Sequence, residues 1–142
     1  ILIDSAESSL YNIEQEFNRN GKVNFDAIVG DIRDHNRMEQ LFDLYKPKIV
    51  FHAAAYKHVP LMEDNPSEAI LTNVFGTRNL VDLAVANKVD KFVMISTDKA
   101  VNPTNVMGAS KRIAEIYAQR ANSNSETKFI FLLVNSSIMH CW

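Results

Sequence analysis

Short apolar runs alternate with amphipathic stretches along the whole chain. Ile1-Leu2-Ile3 ends in Asp4, after which Ala6, Leu10, Ile13 and Phe17 recur at helical spacing until Asn20-Gly21 stops the helix. A strand is expected from Val23 to Val29, closed by Gly30-Asp31. Asp34 is placed to cap the next helix, whose apolar face is Met38, Leu41, Phe42 and Tyr45, with Pro47 beyond its end. Ile49-Val50-Phe51 forms the following strand and runs into His52-Ala53-Ala54-Ala55. After a loop from Tyr56 to Pro60, a long helix is expected from near Pro66, with Ala69, Asn73, Thr77, Leu80, Val81 and Ala84 on one face. Phe92 to Ile95 reads as a strand, Gly108 to Asn122 as a helix and Phe129 to Val134 as a last strand, with a polar loop at residues 122–126.

This βαβα order implies right-handed crossovers and an α/β fold, a Rossmann-type doubly wound parallel sheet with helices on both faces. Such a sheet starts with a strand, a Gly-rich turn and a helix whose N-terminus holds a pyrophosphate. The four glycines, at 21, 30, 76 and 108, form no G-x-G-x-x-G. With Ile1-Leu2-Ile3 as the second strand of the order 3-2-1-4-5-6, the central strand and its phosphate cradle are expected to lie outside these residues.

Composition narrows the function classes. With 142 residues, 46% hydrophobic and 23% charged, the chain can bury one sizeable core and reads as a single domain over 1–142. A net charge of −2 with scattered Lys and Arg leaves no footprint for nucleic acid. No apolar run approaches the roughly 18 residues of a membrane helix, and no signal-peptide pattern opens the chain. One cysteine, Cys141, excludes a disulfide framework within one chain and fits a reducing compartment. The four histidines lack ligand spacing, so no metal site is expected.

The chemistry concentrates between Met94 and Lys111, MISTDKAVNPTNVMGASK, where Ser96-Thr97-Asp98-Lys99 is read as following a strand directly. In open α/β sheets, ligands bind outside the carboxyl ends of the strands. A surface Asp-Lys pair in a loop and a solvated helix Lys are the plain alternatives.

Gly30-Asp31-Ile32-Arg33-Asp34, the run from His52 to Pro60, Asn73-Val74-Phe75-Gly76-Thr77 and the segment from Ser96 to Lys111 together resemble the extended short-chain dehydrogenases/reductases. Within them, AAAYKHVPLMEDNP and STDKAVNPTNVMGASKR resemble the CapD-like polysaccharide-biosynthesis group, of UDP-N-acetylglucosamine 4,6-dehydratase type. The resemblance covers about residues 1 to 130. It implies removal of hydride from C4 of the sugar by a nicotinamide, loss of water across C5 and C6, and return of the hydride at C6.

By position in the motif, Asp98 would be the acid at the C6 oxygen and Lys99 the base at C5, with Thr97 beside them. Both roles need burial or a bound sugar to shift the groups from their ordinary ionisation. The family signature is Tyr-x-x-x-Lys, yet here Met107 stands four residues before Lys111. A thioether exchanges no proton, so Met107 is read as packing, which leaves Lys99, a water on Thr97 or Lys111 to accept the C4 proton. Lys111 would hold the nicotinamide ribose hydroxyls and supply positive charge.

The resemblance also implies that Asn73 bonds backbone of a neighbouring helix and orders the Lys. Asp31 would accept from the adenine amine while Ile32 packs on the ring. Asp4 would bond the adenosine ribose, which disfavours a 2′-phosphate and prefers NAD over NADP, with Arg33 as a complication. Ala53, Ala54, Ala55 and Ser96 would line the cofactor, and His52 reads as structural. Lys57 and His58, with Thr97, Asp98 and Lys99, would meet a UDP-sugar, although a solvated loop face explains the first two equally well. Asp4 as a helix-capping acid and Asn73 as a satisfied core amide are the corresponding plain readings.

The implied partners are a UDP-sugar and, in the parent protein, a second copy of the chain, in the cytoplasm or on a membrane-anchored parent with a cytoplasmic catalytic domain. Residues 131–142 depart from the family pattern, as a changed reading frame or truncated gene would produce. A C5-inverting dehydratase, a related epimerase, or a catalytically silent fragment or interaction module remain as alternatives.

Overall fold

A computed structural model describes residues 1–21 and 24–134. The expectations for Val23 and for the tail from Asn135 therefore lie outside the described residues. In chain order come β1 (Leu2–Asp4), α1 (Glu7–Asn20), β2 (Ala27–Val29), α2 (His35–Tyr45) and β3 (Ile49–His52). There follow α3 (Val59–Asp64), α4 (Pro66–Ala69), a π-helical segment (Ile70–Gly76) and α5 (Thr77–Ala86). The chain continues through β4 (Lys91–Thr97), a 3₁₀ turn (Asp98–Ala100), α6 (Val106–Ser123) and β5 (Lys128–Val134).

All strand pairs are parallel, and the fold is Rossmann-like. β1 pairs with β2, whereas β3, β4 and β5 form a second sheet with β4 in the middle. Among the described residues no strand joins β1 to β3. The two sheets share one core nevertheless, because Ile3, Ile28 and Ile32 pack on the cluster of Met38, Phe42, Val81, Phe92 and Phe129. Phe92 is the centre of that cluster, fully buried with ring centroids 5.2 Å from Phe129 and 5.9 Å from His52. Helices were expected on both faces of the sheet, but cover is uneven: Val93 and Thr97 are buried while Ile49, Phe51 and Leu132 of the same face are exposed.

Local chemistry explains most element ends. Asp34 accepts a hydrogen bond from the Arg37 N–H at 3.0 Å and starts α2, which buries Met38, Leu41 and Phe42. That helix ends at Lys46, which adopts a left-handed conformation and returns its N–H to the Phe42 carbonyl before Pro47. Asn105 caps α6 through the Gly108 N–H at 2.8 Å. α6 then buries Met107, Ser110, Lys111, Ala114, Glu115 and Ala118, the three-and-four spacing of a single helix face.

Five expectations change. β1 includes Asp4, and β2 is confined to its last three residues. β4 runs to Thr97, so Ser96 and Thr97 belong to the strand and their side chains leave on opposite faces. Pro60 stands in the first turn of a helix, α3, because its fixed φ and missing N–H suit that place. The long helix from Pro66 is real but carries seven residues of π-helix, from Ile70 to Gly76.

Candidate active site

The carboxyl ends of β3 and β4 and the first turns of α6 meet at one end of the larger sheet. Lys111 lies on α6, 5% exposed. Burial pushes its ammonium down to about 8, and the carboxylate of Glu115 acts in the opposite direction. His52, at the end of β3, is buried with Nε2 2.8 Å from the Thr77 hydroxyl. Burial, and then the nearby Lys111 charge, hold it down at about 4, so its ring is neutral at physiological pH. This is the structural histidine expected from the sequence, and its Nδ1 has no hydrogen-bond partner among the described residues.

Asn73 joins three parts of the site. Its amide oxygen accepts from the Tyr56 N–H at 2.9 Å, and its nitrogen donates to the Ser110 hydroxyl at 2.9 Å and to the Tyr56 carbonyl at 3.4 Å. Ser110 in turn donates to the Met107 carbonyl at 2.8 Å. The backbone that Asn73 bonds is thus that of the loop after β3, while its link to the neighbouring helix runs through a side chain next to Lys111. The π-helical segment widens the turn that carries Asn73, a distortion that often marks functional positions.

Ser96 and Thr97 diverge. Ser96 is buried against α6 and its hydroxyl donates to Glu115. Thr97 donates to Asp98 at 2.8 Å and accepts weakly from the Lys99 N–H, which closes the 3₁₀ turn. Asp98 is exposed and Lys99 half-buried. The close approach of Gly108 to the Lys99 carbonyl fixes this turn on α6. Met107 is 1% exposed and packs with Met62 and Ala69, with no solvent-facing thioether. Ala53, Ala54 and His58 are exposed, with Ala55 and Lys57 half-buried, in the segment between β3 and α3.

A second group gathers at the carboxyl ends of β1 and β2, where Gly30 donates its N–H to the Asp4 carbonyl. Asp4 is exposed, and one side-chain oxygen accepts from the Ala6 N–H at 2.7 Å at the start of α1. Asp31 is gripped by Arg33 through the backbone N–H at 2.9 Å and the guanidinium at 2.8 and 2.6 Å, which holds its carboxyl below the usual range. The same guanidinium reaches Glu68 on α4 at 2.9 Å. Ile32 lies over Gly76, where a Cβ would come within 2.6 Å of it, and Asn79 donates to the Ile32 and Arg33 carbonyls. The loop 31–33 is thereby seated on the helix that also carries Asn73.

Sequence reasoning passed over Glu115, Ser110 and the clamp by Arg33. The i, i+4 spacing from Lys111 was a signal for Glu115, and Ser110 is adjacent to Lys111. It also passed over Glu63, which accepts from the Val106 N–H at 2.6 Å and ties α3 to the start of α6. Among the described residues no group of three His, Cys, Asp or Glu side chains is arranged for a metal, and no helix is long and apolar enough to cross a membrane.

Residues 1–135 match the family model described as polysaccharide biosynthesis protein. The chain belongs to that family. Its CapD-like character within the extended short-chain dehydrogenases/reductases is seen in its relatives. It is 49% identical over 133 residues to the capsular polysaccharide biosynthesis protein CapD of Staphylococcus aureus, covering 92% of this chain and 22% of that protein. To the inverting UDP-N-acetylglucosamine 4,6-dehydratase of Campylobacter jejuni it is 37% identical, over 91% of this chain and 38% of the relative. The structure of Pen from Bacillus thuringiensis superposes with a TM-score of 0.84 at 37% identity, covering 92% of this chain and 40% of that one. Further solved structures of this fold are complexes with NAD. The chain thus spans well under half the length of these family members.

Proposed function

We propose that this chain is the catalytic-core segment, in one domain, of a nucleotide-sugar 4,6-dehydratase that converts UDP-N-acetylglucosamine to a UDP-4-keto-6-deoxy sugar for surface polysaccharide. The observation that carries the reading is the joint placement of buried Lys111 and the Thr97-Asp98-Lys99 turn at one sheet end, with a buried thioether where the signature phenol would stand. A reaction that needs acid and base at adjacent sugar carbons uses such a turn.

The residues present fit a dinucleotide at two points. Ile32 and Asp31, seated on α5, would meet the adenine, and Asp4 the adenosine ribose, an arrangement that favours NAD over NADP. Oδ2 of Asp31 already accepts twice from the Arg33 guanidinium, and Oδ1, which accepts once from the Arg33 N–H, retains a lone pair for an adenine amine. Ala53 to Ala55 would let backbone approach the cofactor, and Lys111 would hold the nicotinamide ribose. When bound, the nicotinamide supplies a reversible hydride acceptor.

The chain's own groups do the proton work. Lys111, cationic below about pH 8, stabilises negative charge developing at the C4 oxygen as the hydroxyl proton leaves to a water held by Thr97. Lys99 takes the C5 proton and Asp98 protonates the departing C6 oxygen. Asp98 is exposed among the described residues, so the sugar itself must exclude water from it. Lys57 and His58 lie on the loop that Asn73 ties to Ser110 and would reach the sugar nucleotide. NAD and nucleotide sugars belong to the cytoplasm, where the catalytic part would work, as a homo-oligomer.

The test is incubation of the full-length protein carrying this segment with UDP-N-acetylglucosamine in deuterated water. Formation of a 4-keto-6-deoxy product with deuterium at C5 is expected, and NMR at C5 tells retention from inversion. A product with an intact C6 hydroxyl and inverted C4 would instead identify an epimerase and overturn the reading.

A further inference from the structure

Glu115 is a carboxylate buried to the same degree as Lys111, and no step above uses it. It stands one turn after Lys111 on α6, so both side chains share the inward face of the helix. One of its oxygens accepts from the Ser96 hydroxyl on β4. The other accepts from Arg112 at 2.9 Å, a side chain that is 40% exposed. A buried carboxylate that accepts from a hydroxyl and a guanidinium is a paired charge, not a stray one.

We propose that Glu115 is a positioning residue of the site, which fastens the end of β4 to α6 through Ser96 and supplies the negative charge against which the buried Lys111 ammonium is held. Because Ser96 immediately precedes Thr97 and Asp98, the same carboxylate sets where the proton-transfer turn meets Lys111. The role of Glu115 in catalysis rests on the dehydratase reading, whereas its hold on Lys111 does not.

The surroundings leave Glu115 as the dominant opposite charge. His52, facing Lys111 from β3, is neutral, and its ring gives no countercharge. On the elements packed against α6, Glu63 is engaged by the Val106 N–H, Glu68 by Arg33, Asp82 by Tyr117 and Arg78 by the Phe75 ring. Asp98 accepts from Thr97 and stands exposed, beside half-buried Lys99. Asp64 on α3 is exposed, the π-helical segment carries no ionisable side chain, and Lys128 and Lys91 sit at the opposite end of the sheet. Burial alone drives Lys111 toward neutrality, and Glu115 opposes it.

The experiment is an NMR titration of the full chain, with carbon-13 in its lysines, from neutral to strongly alkaline pH. Lys111 is assigned by its loss in Lys111→Met. Glu115→Gln keeps hydrogen-bonding capacity for Ser96 and removes the charge. The Lys111 midpoint is expected to fall by about one pH unit or more, and the other lysines to stay in place. An unchanged midpoint overturns the proposal. Should Glu115→Gln not fold, Arg112→Gln, at a partly exposed position, leaves the carboxylate's charge unshared and must raise the midpoint; no rise again overturns it. In the full-length protein, Glu115→Gln is expected to move the alkaline limb of kcat/KM downward by the same interval. A Lys111 shift without dehydratase activity would reject the functional reading alone, and dehydratase activity without the shift would reject the role of Glu115 alone.

Discussion

The Cα of Gly108 lies so close to the carbonyl oxygen of Lys99 that a methyl group there would collide with it. The obstacle is backbone, which cannot swing aside as a side-chain end would. Gly108→Ala is expected to cost about 1–3 kcal/mol in urea unfolding. In the full-length protein, kcat should fall more than KM rises, because the displaced turn carries the proton-transfer groups. Unchanged stability and turnover would show that the turn has another seat.

His52 makes stability acid-sensitive. Its folded value, about 4, lies below the ordinary 6.5, so the unfolded chain binds the extra proton in between. The stability is complete above about pH 6.5 and declines as pH falls toward 4, by up to about 3 kcal/mol. Urea titrations at neutral pH and at about pH 4.5 measure it. His52→Gln, which retains a partner for Thr77, should lose that part of the acid sensitivity; equal pH slopes in the two proteins would reject the assignment.

Lys111 acts at the other end of the scale. Its folded value, about 8, is below the ordinary 10.5, so holding the ammonium in the core opposes folding at neutral pH. That cost is relieved as pH rises from about 8 to 10.5, again by up to about 3 kcal/mol. The stability of the natural chain relative to Lys111→Met is expected to increase over this interval. A constant difference between the two would mean that the amine titrates in solvent.

Asn73→Ala is expected to lower stability by about 1–3 kcal/mol, because the Tyr56 N–H and the Ser110 hydroxyl both lose a partner. Asn73→Asp should cost at least as much, since a carboxylate cannot donate to Ser110 or the Tyr56 carbonyl. Ser110→Ala should cost less. Thermal melts of the three variants give the ranking, and a neutral Asn73→Ala would leave the amide without a structural part.

The helices with both an apolar face and a cap were legible from the chain. Asp34 before Met38 and Asn105 before the Met107 to Ala118 face carry their start signals in sequence. What escaped was set by partners distant in sequence. β4 extends through Ser96 and Thr97 because β5 offers Leu133 and Val134 opposite them. α3 starts inside the stretch from Tyr56 to Pro60 that reads as loop, because proline ends a loop and opens a helix equally well. The π-helical segment left one trace, the run Ala69, Asn73, Thr77 in successive steps of four, wider than 3.6 residues per turn.

The candidate site divides along similar lines. The run from Thr97 to Lys111 could be picked out by residue type, and Met107 already argued itself out of proton transfer by its chemistry. The clamp of Arg33 on Asp31 and Glu68 could not be foreseen, because it joins residues 35 apart across a loop and a helix.

The wide turn around Asn73 also makes the reading of length along this helix unforgiving. Removing one residue between Ile70 and Gly76 would let the helix relax to regular α geometry without breaking it. Because the wide turns already absorb one extra residue, the flanking turns would keep nearly their present facing, and the residues inside the segment would shift by one position against them. Asn73 and the Gly76 seat of Ile32 would no longer face Ser110 and the 31–33 loop together. A family that keeps this site thus cannot shorten this helix by a single codon, even though such a deletion would improve its hydrogen bonding.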